Sequence, residues 1–261
     1  MPYKVVRERA AQRCNIARAE FAARVASIDP FSIAWIDEMG KGRHNRCRAY
    51  RPRGVKGDAE ALPRHFGGDK RYTVIGLVDM AGGFHEDACE TVVHGAATDP
   101  VATTVDGSLF LSCLTRLVIP WLRNNTHIKY VVMDNAPVHP KEACEDALLA
   151  VDVQVLWLPP YSPDYNPIEG CFGLYKARHR RSFSGRLSEA EWCNAHVACL
   201  RVVTPANMRG FVRNAGVYKI SEGPHTPALA EAAAAYSSSA LLCALALDDD
   251  FSGKLLKDLL Q

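Results

Sequence analysis

The sequence has few of the features that mark membrane, secreted or zinc-binding proteins. No apolar run approaches the roughly 20 residues that a helix needs to cross a bilayer, so we expect no membrane partner. The first residues, MPYKVVRERAAQRC, contain no apolar core, and we expect no signal peptide. The nine cysteines form no CxxC pair, and Cys193 and Cys199 are the closest two. This spacing argues against a zinc ribbon or finger and indicates reduced thiols in an intracellular protein.

The chain also lacks internal repeats and a large excess of one charge. Its formal net charge is +2 over 261 residues, which by itself indicates no particular partner. The basic residues are unevenly placed, however. Ten Lys or Arg stand against three acids from Lys41 to Arg71, and five stand against none from Lys176 to Arg186. Clusters of this kind can contact phosphate backbones, although a solvated surface explains either one alone at least as well.

The apolar pattern alternates between helix and strand periods, and hydrophobic residues make up 48% of the chain. Strands are predicted at 31–36, 72–80, 84–94, 128–133 and 153–158, and helices at 5–27, 106–122, 141–150, from 167 onward and at 187–203. This order predicts an α/β domain with a mixed five-stranded sheet flanked by helices on both faces. We place that domain at 30–203, between an N-terminal helix and linker at 1–29 and a C-terminal helical or partly ordered extension at 204–261.

Three acids stand at comparable places in this pattern. Asp37 follows the first strand and Asp134 the fourth, while Glu169 falls in the first turn of the helix after the fifth. If the first and fourth strands are neighbours, Asp37 and Asp134 meet at the sheet edge where α/β proteins bind ligands. For Asp37 taken alone, a turn-capping role is the alternative.

Clustered carboxylates repel one another unless cations share the site. Magnesium binds to a few carboxylates together with phosphate oxygens. Two such ions about 3.5–4 Å apart would suit an in-line phosphoryl transfer. The three acids therefore predict a site for magnesium, or manganese in its place, with the basic clusters holding a phosphodiester strand.

Four segments resemble the mariner-like DDE transposases, the DDE superfamily endonucleases. DNAPVH at 134–139 and LPPYSPDYNPIE at 158–169 resemble the paired signature motifs. WIDEMG at 35–40 resembles the first acid motif, and RPRG at 51–54 resembles the basic segment after it. Thirty-four residues separate the second and third acids, which is also the interval in that family.

The resemblance covers about 31–185 and implies a ribonuclease H-like fold with metal-dependent cutting and joining of DNA. It places the catalytic and metal-binding roles on Asp37, Asp134 and Glu169, with two ions. It also makes Asp164 a non-catalytic aspartate. DNA is the implied partner, bound by a homodimer.

Two departures from the family pattern stand out. The segment before Trp35 is too short for the helix-turn-helix modules that usually precede the catalytic domain. We therefore expect a catalytic domain alone, whether a fragment, a degenerate copy or a domesticated gene. The tryptophan that often follows the third acid is absent, and Phe172 and Tyr175 are its possible substitutes.

Several other side chains have both a functional and a structural interpretation. Asn135 and His139 either contact the substrate or a metal-bound water, or they shape a turn. Tyr161 and Tyr165 either stack on bases or pack their own loop. Glu38 is either a spare metal ligand or, as the opposite facing of adjacent strand residues favours, a side chain that points away from Asp37. The residues predicted to bind DNA are Arg51, Arg53, Asn135, His139, Lys176, Arg180 and Arg181.

The sequence supports three functions in order of preference. The first is a transposase-type endonuclease and strand transferase, located in the nucleus of a eukaryote or in the cytoplasm or nucleoid of a bacterium. The second is a catalytically silent, transposon-derived module that binds DNA or a partner. The third is a ribonuclease H-like nuclease for RNA–DNA hybrids or junctions, against which the SPDYNPIE loop argues.

Overall fold

The computed structural model describes residues 13–42, 71–94, 105–182 and 196–220. The predictions for Arg51 and Arg53, and for the segments 187–195 and 221–261, lie outside these residues. The strands are β1 Ile33–Gly42, β2 Arg71–Asp79, β3 Gly83–Phe84, β4 Glu90–His94, β5 Tyr130–Met133 and β6 Gln154–Trp157. The helices are α1 Asn15–Val25, α2 Gly107–Cys113, α3 Ile119–Asn124, α4 Lys141–Leu149, α5 Ile168–Ser182 and α6 Pro205–Ala215.

The sheet is mixed and has the order β3-β2-β1-β5-β6, with β4 also paired to β2. β1 pairs antiparallel with β2 and parallel with β5, and β5 pairs parallel with β6. The predicted mixed five-stranded sheet is therefore confirmed, with one refinement. The strand predicted at 84–94 is broken by the 3₁₀ turn Glu86–Ala88, so β3 and β4 share the same edge of β2.

The helix predicted at 106–122 forms as α2 and α3, which are joined by a π-helical turn at Leu114–Val118. The Asp106 side chain caps it by accepting a hydrogen bond from the Leu109 amide. Pro120 lies in the first turn of α3. The cysteines that fall in the described residues are free thiols. None of the described helices is long and apolar enough to span a membrane.

Alternate residues of β1 enter two separate hydrophobic clusters, as the two-residue period of a strand requires. Ile33, Trp35 and Met39 pack on one face, against α1, α5 and α6. Ala34 and Ile36 pack on the other face, against α2, α3 and α4. The sheet is thus covered on both faces, as predicted.

Helix α6 belongs to the first of these clusters. Its Met208 and Val212 are fully buried there, beside Cys171 and Tyr175 of α5. Just beyond the helix, the Tyr218 hydroxyl accepts a hydrogen bond from the Trp35 indole at 3.1 Å. Residues on both sides of position 203 thus pack in the same cluster, and the boundary between 203 and 204 stays a prediction.

A glycine with positive φ closes the turn from β2 to β3. The Asp79 side chain accepts hydrogen bonds from the amides of Ala81 and Gly82, which supports its predicted role as a turn residue. Gly83 follows with φ +71°. A Cβ at this position would lie 2.4 Å from the backbone oxygen of Val203. Position 83 thus requires glycine, because of both its backbone conformation and the close approach of the Val203 backbone.

We expect Gly83→Ala to lower the free energy of unfolding by about 3 kcal/mol or more, because left-handed strain adds to overpacking against a backbone atom. Gly216→Ala is the matched control, since Gly216 has φ +73° but a Cβ there would have nothing within 4 Å. It should cost only about 1 kcal/mol. Urea denaturation of both variants measures the difference, and equal losses would contradict the packing argument.

Candidate active site

Asp37 lies in β1, and Asp134 directly follows β5, the parallel neighbour of β1. The register pairs Trp35 with Val132, and two further residues along each strand lead to the two acids. Neighbouring strands are about 4.8 Å apart, so the two carboxylates lie close together at this end of the sheet. The condition for bringing the two acids together, adjacency of the first and fourth predicted strands, is met.

The sequence-based end of the first strand at 36 was wrong. β1 continues to Gly42 because its other edge stays paired with β2, where Asp37 stands opposite Gly76. On the β5 side the strand ends at Met133. Asp37 therefore lies within a strand rather than after one, at the position where one neighbouring strand stops.

The Asp37 carboxyl group is buried beside other carboxylates, and both conditions disfavour its charged form. Its pKa is raised to about 8, mainly by burial and in addition by the charges of the Asp134, Glu38 and Glu169 carboxylates, against a hydrogen bond from the Glu38 amide. Glu169 is exposed in the first turn of α5. The charges of Asp134 and Glu169 thus both act on the Asp37 carboxyl group.

Asn166 is a polar contact of Asp37 that the sequence analysis missed. Its side-chain amide donates a hydrogen bond to Asp37 Oδ2 at 2.9 Å, and the residue is only 4% exposed. Asn166 stands three residues before Glu169 in the proline-rich loop. Its position shortly before Glu169 was the available signal, but its target became visible only in the fold.

His139 is the contact of Asp134. Its Nε2 lies 2.8 Å from Asp134 Oδ1 and 3.8 Å from Glu38 Oε2. Burial disfavours ionisation of Asp134, but the hydrogen bond and charge of His139 outweigh burial and lower its pKa. The His139 side chain is 2% exposed. This differs from the exposed position that its predicted contact with DNA would need.

The loop between β6 and α5 is held from outside by helix α1. Arg18 forms a two-pronged ion pair with Asp164, at 3.1 and 2.8 Å, and Arg13 pairs with the same carboxylate. The Arg18 guanidinium also lies 3.7 Å from the centre of the Tyr165 ring, and Phe21 stacks on that ring. These contacts make Asp164 a structural residue of the loop, in line with its predicted non-catalytic role.

The ion pairs of Asp164 predict a pH dependence of stability. Burial opposes ionisation, but the hydrogen bonds and charges of Arg18 and Arg13 prevail and lower the pKa of Asp164 from its ordinary value of 3.8. A depressed folded-state pKa contributes stability that is complete above 3.8 and disappears as pH falls through the lower value.

We therefore expect Asp164→Asn to be less stable than the parent at pH 7 and equally stable at the acid end. The Asp164 side chain is 50% exposed, so the difference at pH 7 should be no more than about 1 kcal/mol. Denaturant unfolding from pH 2 to pH 7 measures it, with Asp146→Asn at an exposed position of α4 as control. A constant gap at all pH values would contradict the assignment.

The other predicted DNA-binding and loop residues are dispersed around the site. The Asn135 side-chain oxygen accepts a hydrogen bond from Lys141. Lys176 is half-buried on α5, and the side chains of Arg180 and Arg181 lie outside the description. Tyr161 is 57% exposed with φ +54°, whereas the Tyr165 ring packs against Phe21 of α1. The two aromatic substitutes after the third acid, Phe172 and Tyr175, are both buried core residues.

No group of three or more His, Cys, Asp or Glu within 13–42, 71–94, 105–182 and 196–220 is arranged to hold a metal ion as it stands. The two carboxylates at the centre are instead bonded to Asn166 and His139. The donor set nevertheless suits a hard cation, because it consists of carboxylate oxygens with too little compensating charge. Asp37 and Asp134 would have to exchange hydrogen bonds for an ion.

Two kinds of similarity to known proteins accompany this geometry. The structure is similar to the Mos1 mariner paired-end complex with Mn and to the Mos1 strand transfer complex, with TM-scores of 0.59 and 18% identity in both cases. The alignments cover 85% and 90% of this chain, and 68% and 66% of those chains. This chain thus spans about two thirds of their length.

At this identity the similarity establishes the fold, which is the ribonuclease H-like fold that was predicted. No curated protein matches the chain. The DDE superfamily endonuclease family matches residues 32–189, which is more than half of the 261 residues. This chain therefore belongs to the DDE superfamily endonucleases.

Proposed function

We propose that this protein is a metal-dependent DNA endonuclease and strand transferase of the transposase type. The observation that carries the proposal is the parallel register of β1 and β5, which sets Asp37 level with Asp134. The charge of Glu169 acts on the same carboxyl group. Three acids converging at the end of a sheet in this family are suited to phosphoryl transfer on DNA.

Asp37 and Asp134 would hold both of two divalent ions, and Glu169 would hold the second. The fit rests on Asp37, whose raised pKa results from burial and neighbouring carboxylates, a strain that a divalent cation relieves. Two bound ions supply a clamp on the attacking and leaving oxygens of an in-line displacement. Magnesium and manganese accompany several of the solved Mos1 structures, which supports this choice of ion.

The reaction would have two displacements at phosphorus. Water first attacks a phosphodiester at the transposon end and releases a 3′ hydroxyl. That hydroxyl then attacks target DNA and displaces a second 3′ oxygen, so no covalent bond between protein and DNA forms. This chain's residues orient the reacting groups: the two aspartates from adjacent strands, and Glu169 from the first turn of α5.

DNA as the partner is supported by the paired-end and strand transfer complexes in which Mos1 was solved. Tyr161 is a candidate contact, because an exposed aromatic ring in the loop before Glu169 can stack on a base. The homodimer on DNA and the intracellular location belong to the same proposal. Lys176, Arg180 and Arg181 would extend the DNA contact along α5.

Nicking of supercoiled plasmid tests the proposal without knowledge of the preferred ends. We expect nicked product with Mg²⁺ or Mn²⁺ and none when the metal is removed by a chelator. A variant purified identically, Asp134→Asn, excludes a contaminating nuclease. A salt-dependent mobility shift of DNA without any nicking would favour the silent DNA-binding module instead.

A further inference from the structure

His139 is enclosed on the face of the sheet that carries α2, α3 and α4. Its ring lies against Phe110 of α2, with 4.2 Å between the ring centres. The side chain is 2% exposed. A buried imidazole in an apolar wall is costly unless its polar atoms are used. The one strong polar contact it makes therefore indicates why it is there.

That contact is to the carboxylates of the site. Nε2 is 2.8 Å from Asp134 Oδ1, so we assign the ring proton to this nitrogen, which donates a hydrogen bond to the carboxylate. The same nitrogen is 3.8 Å from Glu38 Oε2, which approaches from the opposite face of β1 to Asp37. Nδ1 is buried and has no hydrogen-bond partner among the residues that the structure describes. The ring thus has one polar side, and that side faces Asp134.

The hydrogen bonds to Asp134 are concentrated on one oxygen. Oδ1 accepts from His139 and, at 3.2 Å, from the Ala136 amide. Within the described parts of the chain, no donor is within hydrogen-bond distance of Oδ2. This asymmetry holds the carboxylate in one orientation and leaves its second oxygen available.

We propose that His139 is a positioning residue, which holds Asp134 through Oδ1 so that Oδ2 is presented to a divalent ion. Glu38 keeps Nε2 turned toward the carboxylates, because rotation of the ring away from both would leave its N–H buried and unpaired. The inference rests on the proposed metal site at Asp37, Asp134 and Glu169. Hydrogen-bonded partners of metal ligands typically change metal affinity by about 10–100-fold.

The test compares two substitutions of similar volume. His139→Leu fills the pocket beside Phe110 but has no donor, whereas His139→Gln retains an N–H at a comparable reach. Titration with Mn²⁺, followed by the electron paramagnetic resonance signal of the free ion, should show binding to His139→Leu weakened about tenfold or more. His139→Gln should recover most of the affinity. Neither change should affect a DNA mobility shift measured with chelator.

Two controls separate this inference from simpler explanations. Leu148→Ala removes a fully buried side chain from the same hydrophobic cluster on α4. It should lower the unfolding temperature without changing Mn²⁺ affinity, so destabilisation alone would not mimic the effect. Asp134→Asn shows how far Mn²⁺ affinity falls when the proposed metal ligand loses its charge, which is the largest loss that the substitutions of His139 could cause through Asp134.

The outcomes distinguish the proposed metal site from the proposed role of His139. If the parent protein binds no Mn²⁺, the proposed function fails. If the parent binds but His139→Leu binds equally well or more tightly, the metal site stands and the positioning role of His139 is overturned. Weaker DNA binding with unchanged Mn²⁺ affinity would also overturn it, in favour of a direct contact with DNA.

Discussion

Replacing Asp134 with Asn should reduce plasmid nicking by at least about a hundredfold, more than the loss expected for a partner that only orients a ligand. The substitution keeps the shape of the side chain and an oxygen that can accept the His139 hydrogen bond. It removes the negative charge that would bind a divalent ion. The same loss is expected for Asp37→Asn, which leaves an amide facing Asn166.

Asp164→Asn is the matched control for these two variants, because it is the same chemical change in an acid of the neighbouring loop. Asp164 is bonded to Arg13 and Arg18 of the N-terminal segment, so its loss should change nicking by no more than a few-fold. Quantified gel assays with Mn²⁺, together with unfolding curves for each variant, measure both effects. If Asp134→Asn retained parental activity, the assignment of the catalytic acids would be wrong.

Trp35→Ala should lower the free energy of unfolding by about 3–5 kcal/mol. Trp35 is fully buried at the centre of the first hydrophobic cluster and packs edge-on against the ring of Tyr218, with 5.5 Å between the ring centres. Its indole donates to the Tyr218 hydroxyl, which in turn donates to the backbone oxygen of Tyr165. A loss of this size is a large part of the roughly 5–15 kcal/mol that stabilises a typical protein.

The effect at Trp35 should also reach the loop between β6 and α5, because the Tyr218 hydroxyl connects this core to the backbone of Tyr165 in that loop. Trp157→Ala is the control, since Trp157 also lies on a strand but is only partly buried, with its indole bonded to Glu145. It should cost no more than about 2 kcal/mol. Guanidinium unfolding followed by circular dichroism measures both, and similar losses would contradict the central role of Trp35.

The helix and strand pattern could be predicted because it depends on local spacing. Apolar residues at helical spacing after Asp106 marked α2 and α3, and the apolar run before Asp134 marked β5. Each acid could be placed next to its strand for the same reason. The true length of β1 could not be predicted, because its last residues are held by pairing with β2, which is distant in sequence.

The partners of the acids were decided only by the tertiary structure. The sequence left open whether His139 contacts the substrate or a metal-bound water or belongs to a turn, and the packing of its ring against Phe110 of α2 became visible only in the fold. Asn166 and Arg18 gave no signal of their targets, since each lies more than a hundred residues from the carboxylate it contacts.

The sequence by itself determined the three acids, their order and the family motifs around them, because motifs and spacing are properties of neighbouring residues. The tertiary structure decided that Asp37 stands level with Asp134, and that His139 and Asn166 occupy one oxygen of each. The physical reason is that strand order and register bring together groups that no local pattern connects. The family motifs could be recognised in the sequence, whereas the placement of Asp37 near Asp134 arises from the parallel pairing of β1 with β5.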